Sequence, residues 1–295
     1  MASIGSNIER FFKQKSILSN LIAINIAVFV IWNLIAVFCM LFNLSSGFLS
    51  EFLGLPAQPA YWIQKPWTLF SYMFAHYNFW HILFNMLWLY WFGQIFLLFF
   101  TPRQLGGLYV LGGIAGAFLF VLAYNVFPYF HQFVNNAVLI GASASVMAIV
   151  FAAAFYRKDY EIQLLLIGKV KIIYIALFCL ILDLVSIQSG NPGGHIAHLG
   201  GALMGIWYAG SYRKGKDITA WINSLIDGAV NLFKKKSAKK NVKIHYKRSE
   251  TDQEYNRRKS EENKDIDRIL EKIKHSGYDS LSENEKQKLF NVSKK

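Results

Sequence analysis

Charge is scarce in the first two thirds of this chain. Residues 1–212 carry 9 Lys/Arg and 5 Asp/Glu, against 22 and 13 in residues 213–295. With 17% charged and 54% hydrophobic residues overall and a mean hydropathy of +0.28, the chain lacks the polar surface of an ordinary soluble domain. Cysteine is nearly missing too: Cys39 and Cys179 each lie inside an apolar run, where neither disulfide nor metal-ligand spacing is available. No A-x-A cleavage site follows the first apolar run, which is also too long for a signal-peptide core, so that run is expected to stay in the mature protein. A transporter fits poorly, because there is no inverted repeat and Asp183 is the single acid inside the apolar runs. Of the net +13, about +9 falls after residue 212. Directly behind an apolar run, that excess reads as attraction to anionic lipid headgroups rather than to nucleic acid.

What is present is apolar length. A helix needs about 20 apolar residues to cross hydrocarbon, and roughly that length recurs six times, near 21–42, 79–100, 104–126, 139–156, 170–187 and 195–212. The fourth and sixth runs are short and rich in Gly, Ala and Ser, which permit close helix approach and place them centrally. The expected fold is all-α, a polytopic six-span bundle. Arg10, Lys13, Lys15, Arg103, Arg157, Lys158, Lys169, Lys171, Arg213, Lys214 and Lys216 all fall on one side, and only Lys65 and Glu51 on the other. By the positive-inside rule both termini are cytoplasmic. The outer loop 43–78, with Tyr61, Trp62, Trp67 and Tyr72, is expected to lodge in the membrane interface, where amphipathic rings settle.

Four segments follow: a cytoplasmic stretch 1–20, the six-span domain 21–212, an amphipathic and basic segment 213–240, and a linker with a small helical hairpin, 241–295. Ile218, Trp221, Ile222, Leu225, Ile226, Val230 and Phe233 have helical spacing and lead into KKKSAKK. That pattern suits a helix lying on the inner leaflet, or equally one packed on the protein's own inner loops. In the hairpin, Ile266, Ile269, Leu270 and Ile273 form a stripe, Gly277 suits a helix stop, and Ser282 with Glu285 suits a capping box. No partner for the hairpin is identifiable.

Polar groups inside spans are costly, and each is a functional candidate weighed against an interhelical hydrogen bond. They are His81, Asn85, Ser143, Ser145, Asp183, His195 and His198. Spans two, four and six run in one direction with His81 and Asn85, Ser143, and His198 near their starts, so these groups converge at one depth below the outer surface. Span six carries Ala197, Gly201, Gly205 and Ala209 and span four Ala144, Ala148 and Ala152, two smooth ridges able to pack backbone to backbone. That contact brings Ser143 toward His198. A serine hydroxyl needs a neighbouring base to become a nucleophile, and a neutral imidazole suits that role. Ser143 at a helix N-terminus also has unpaired N–H groups for an oxyanion, to which His81 and Asn85, four apart on one face, add side-chain donors. Asp183 is read mainly as a structural cap or pair near the outer end of span five, with orientation of His198 as the less favoured role. Ser145 is the competing serine, while His195 and His76 are assigned to loop hydrogen bonding and outer-loop packing.

FAHYNFWHILFNMLWLYWFG, GASAS and HIAHLGGALMG, in that order and in separate spans, resemble the H-x-x-x-N second span, the G-x-S-G nucleophile turn and the H-x-G-G sixth span of the rhomboid intramembrane serine proteases. The resemblance covers about residues 20–212. It implies that Ser143 is the nucleophile and His198 the general base. His81 and Asn85 then complete an oxyanion hole with the N–H groups of Ala142 and Ser143. No cofactor is implied, the partners are transmembrane substrates and membrane lipid, and the site is a bacterial inner membrane. The family works with a dyad, which argues against a catalytic Asp183. Three residues depart from the pattern. Ala144 replaces a glycine, Met147 stands where an aromatic is usual, and Thr68 follows Trp67 where many members have Arg. Two rivals are a non-catalytic rhomboid-like protein that binds membrane clients, and an intramembrane metal or haem protein using His76, His81, His195 and His198.

Overall fold

Each of the six long apolar runs folds as a helix, and the first turn of most shows why it begins where it does. The computed structural model describes residues 4–164, 167–188, 190–233 and 252–293. A short α1 (Ile4–Lys13) precedes α2 (Ile17–Leu41), whose first turn is capped by Ser16 Oγ accepting the Ser19 N–H at 3.1 Å. The outer loop holds α3 (Phe48–Leu53) and α4 (Thr68–Ser71). Asn78 caps α5 (Phe79–Leu97), and Thr101 with Gln104 forms a capping box around Pro102 at the start of α6 (Pro102–Val126). After α7 (Pro128–His131) come α8 (Ser143–Tyr156), α9 (Ile172–Ser186) and α10 (Pro192–Arg213), the last capped by Asn191. Each side-chain cap satisfies an N–H that the helix itself cannot.

Two of these, α2 and α6, have the length and apolarity to cross a bilayer independently. The apolar α8 and α9 run to 14 and 15 residues, and α8 is thus about 21 Å long against a hydrocarbon core of about 30 Å. The helix α8 also starts four residues later than its hydropathy suggests. Leu55–Pro56 (β1) pairs antiparallel with Val138–Leu139 (β2), which holds that apolar stretch extended. A second hairpin, Glu161–Leu164 (β3) with Gly168–Lys171 (β4), joins α8 to α9.

The core is α8. Ala148 to Ala154 are wholly buried, sheathed by α5, α6, α9 and α10. The sheath is tight because glycines face backbone: a Cβ on Gly205 would meet the Ala148 carbonyl, and one on Gly200 would lie 2.5 Å from the Ala115 carbonyl. Small residues do the packing work that water would otherwise drive. The outer faces are the reverse. Leu34 (65%), Met40 (66%), Phe178 (60%) and Val185 (73%) are exposed, apolar side chains on the exterior that suit lipid.

The expected interfacial loop is partly core. Trp67 is exposed and donates Nε1–H to the Phe52 carbonyl at 2.7 Å, but Tyr72 is fully buried and donates its hydroxyl to the Gly113 carbonyl at 2.6 Å. A tyrosine with an internal acceptor has no need of the headgroup zone. Helix α11 (Ala220–Phe233) packs in part on the protein itself. Thr219, just ahead of it, is buried on Gly107, and Asp227 pairs with Arg103 of α6, while Trp221 and Leu225 stay exposed. The side chains of Val230 and Phe233 and the KKKSAKK run lie outside the described residues.

Residues Met1–Lys235 and Lys236–Lys295 form separate units. In the second, α12 (Asp252–Ser276) and α13 (Glu283–Ser293) make the hairpin. Gly277 turns it at φ 76°, and Glu285 accepts both the Ser282 N–H at 2.8 Å and the Lys272 ammonium at 3.0 Å. Those donors hold the Glu285 carboxyl down to about 2.

Candidate active site

The site is assembled from the starts of three helices. The Asn78 carboxamide oxygen accepts the N–H groups of Trp80 and His81, which fixes the first turn of α5 and sets His81 one turn before Asn85. Asn85 spends one N–H on the His81 carbonyl at 2.9 Å. Ser143 is the first residue of α8, and its predecessor Ala142 provides no side-chain cap. The chain reaches it through Gly141 at φ 129°, whose N–H donates to the Tyr72 carbonyl at 2.9 Å. His198 lies two turns into α10.

Ser143, His198, His81 and Asn85 line one cavity of about 440 Å³, together with Asp183 and Phe84. Among the described residues no hydrogen bond joins Ser143 to His198. The His198 Nδ1 is 2.7 Å from Asp183 Oδ1, which leaves Nε2 as the ring nitrogen without that engagement. The same oxygen is 2.9 Å from His195 Nδ1.

The other sequence candidates separate by helix phase and by depth. Ser145 is turned about 200° from Ser143 and is fully buried, its Oγ 3.9 Å from Met73 Sδ against α6. Ala142 is buried, and its N–H donates to His76 Nε2 at 3.3 Å. One of the two backbone donors expected for an oxyanion is thus engaged from behind by His76, a residue read from sequence as loop packing. His195 belongs to the first turn of α10 and bonds Asp183, not a loop. The Ala144 methyl has room because it packs on Gly116 of α6, where an added Cβ would lie 2.5 Å away. Phe84 lines the cavity and is also 56% exposed. Of the histidines named for a metal or haem, His76 stacks edge-on with His81 and His195 with His198, at 5.0 and 5.7 Å between centroids.

Sequence reasoning gave Gly141 only a general turn role. A Cβ there would lie 2.6 Å from His81 Cε1, so the missing side chain is the space the imidazole occupies, at a φ that L-residues rarely adopt. Gly141→Ala is expected to push the His81 ring aside. A shift of the His81 ring signals in a ¹⁵N-histidine spectrum measures this, and unshifted signals would show that the ring does not fill the space at Gly141.

Residues 64–214, half of the chain, match the family model described as Rhomboid domain. The chain belongs to the rhomboid family. It is therefore a mostly helical membrane protein and a rhomboid-type intramembrane protease or an inactive relative of one. The rhomboid match runs from the outer loop to the end of α10 and includes α5, α8, α9 and α10, which carry every polar cavity residue named above. Residues 249–295 match a family of unknown function (DUF6576), which spans the hairpin and assigns it no role. No curated protein matches the chain.

Proposed function

We propose that this rhomboid is an active serine endopeptidase that cleaves peptide bonds in or beside the transmembrane helices of other proteins. The carrying observation is that Ser143, His198, His81 and Asn85 line a single cavity within an otherwise apolar bundle. His198 takes the Ser143 proton, the hydroxyl oxygen attacks the scissile carbonyl, and His81, Asn85 and the Ser143 N–H hold the resulting oxyanion. The Ala142 N–H joins them when the developing charge competes for it with His76 Nε2, 3.3 Å away. The histidine then returns the proton to the leaving amine, and water releases the acyl group. In this reading residues 21–212 cross a bacterial inner membrane six times with both termini in the cytoplasm. Substrate enters laterally from lipid, and segments that unwind easily are cut first, because a formed helix hides its carbonyls.

The engagement of Ala142 by His76 also favours a second reading, an inactive rhomboid that binds membrane clients, since an oxyanion hole missing one donor loses about 10²–10³ in rate. A fluorophosphonate probe separates the two. It is expected to label the purified wild-type protein and not Ser143→Ala, and cleavage of a generic transmembrane substrate is expected to follow the same pattern. An unlabelled wild-type protein would leave the client-binding reading in place.

A further inference from the structure

Helix α11 lies beyond the rhomboid match, which ends at residue 214, yet the bundle fixes its place. Gly215 at φ 76° follows α10. Asp217 Oδ1 then caps the next turn by accepting the Thr219 N–H at 2.9 Å, while Oδ2 accepts from Gln104 Nε2 of α6 at 3.1 Å. Gly107 of α6 sits in the notch between Thr219 and Asn223: a Cβ on it would lie 2.7 Å from the Thr219 Cβ and 2.9 Å from the Asn223 carboxamide. Four residues back along α6, Arg103 pairs with Asp227, which is four residues on from Asn223. The start of α11 therefore runs antiparallel to the first turns of α6.

That register sets a depth. Gly107 comes five residues after Pro102, about 7.5 Å along α6. Its neighbour Gly106 faces Ile17, the first residue of α2, with an added Cβ 3.2 Å from Cγ2. The α11 turn that meets Gly107 is thus level with the starts of two helices long and apolar enough to cross a bilayer, where acyl chains give way to headgroups. Trp221 and Leu225, one turn apart, are 55% and 61% exposed there, while Thr219 and Ile222 on the other side are buried. Both acids of the segment are engaged by the protein, Asp217 by Gln104 and Thr219, and Asp227 by Arg103. Lys214 and Lys216 are exposed, and among the described residues no ion pair engages either.

We infer that the outer face of α11 is a binding surface for anionic phospholipid. Trp221 and Leu225 enter the boundary between headgroups and acyl chains, and Lys214 and Lys216 meet the lipid phosphates. An indole suits that depth because its apolar body and its N–H are satisfied on opposite sides of the boundary. The sequence after α11 continues into KKKSAKK, five more lysines in the same basic stretch. This contact does not depend on catalysis at Ser143.

The test places the photo-crosslinking residue p-benzoylphenylalanine at Leu225, and separately at Trp221, in the full-length protein. Both side chains are exposed, so each variant should melt at the wild-type temperature. The proteins are reconstituted in vesicles of equal phosphatidylglycerol and phosphatidylcholine, irradiated, and read by mass spectrometry. Both positions are expected to yield phospholipid adducts, with phosphatidylglycerol favoured about two- to five-fold over its share. High salt, or Lys214→Gln combined with Lys216→Gln, should bring that ratio toward one. The same residue at Leu34, exposed on α2, should give lipid adducts without the preference. Crosslinks between two copies of the chain, or from α11 to residues 241–295, would show a protein covering this face and overturn the proposal. Failure to form lipid adducts at both positions, or adducts in the bulk lipid ratio, would overturn it as well.

Discussion

Replacing His198 by alanine is expected to lower kcat for substrate cleavage by at least about 10⁴-fold, and adding Ser143→Ala to that variant is expected to lower it no further. In the proposed chemistry the two residues perform one event, transfer of a proton from Oγ as the oxygen attacks, so the loss of either would remove all of it. Their independent placement makes the test meaningful. Ser143 opens α8 and His198 lies in α10, joined only by packing and by the cavity both line. Residual cleavage in all three variants should be equal, set by what the oxyanion donors and binding supply alone. Multiplicative losses in the double variant, or a His198→Ala rate within ten-fold of wild type, would mean that the two side chains act separately and that the proposed chemistry is wrong.

The sequence was most legible where one residue decides a local event. Gly277, expected to stop a helix, follows α12 at φ 76°, and Glu285, expected to cap with Ser282, accepts the Ser282 N–H, while hydropathy located the apolar runs. The convergence of His81, Asn85, Ser143 and His198 followed from the direction of three helices, and their shared cavity agrees with it. Legibility failed where a partner is distant in the chain. Val138–Leu139 has the hydropathy of a helix start and is extended because Leu55–Pro56 pairs with it. Tyr72 has the composition of an interfacial ring, and its acceptor, the Gly113 carbonyl, is 41 residues away. The same holds for His76 and the Ala142 N–H. Asp183 was legible in part. Read as a cap or a pair, it pairs, and the relative rotation of α9 and α10 shows that its partners are two imidazoles.

A substitution that ordinarily strengthens a helix is expected to damage this one. Glycine to alanine inside a helix gains about 1 kcal/mol, and Gly201 and Gly210 both lie within α10. At Gly210 nothing stands within 4 Å of an added Cβ, so Gly210→Ala should match or exceed wild-type stability. At Gly201 the Cβ would meet the Ala144 carbonyl oxygen, with the carbonyl carbon at 2.8 Å and Cα at 3.1 Å. These are backbone atoms of the α8 first turn and cannot rotate away as a side-chain tip would. Overpacking of this kind costs about 1–3 kcal/mol, enough to reverse the sign and lower the melting temperature by about 2–4 °C per kcal/mol. Valine at 201 should prevent accumulation of folded protein. Ala144 directly follows Ser143, so the displacement also reaches the proposed nucleophile. Fluorophosphonate labelling per folded molecule should therefore fall in Gly201→Ala and stay at the wild-type level in Gly210→Ala. Melting curves in detergent paired with probe labelling measure both effects, and a Gly201→Ala protein as stable and reactive as Gly210→Ala would mean that α8 and α10 do not meet backbone to backbone at the serine.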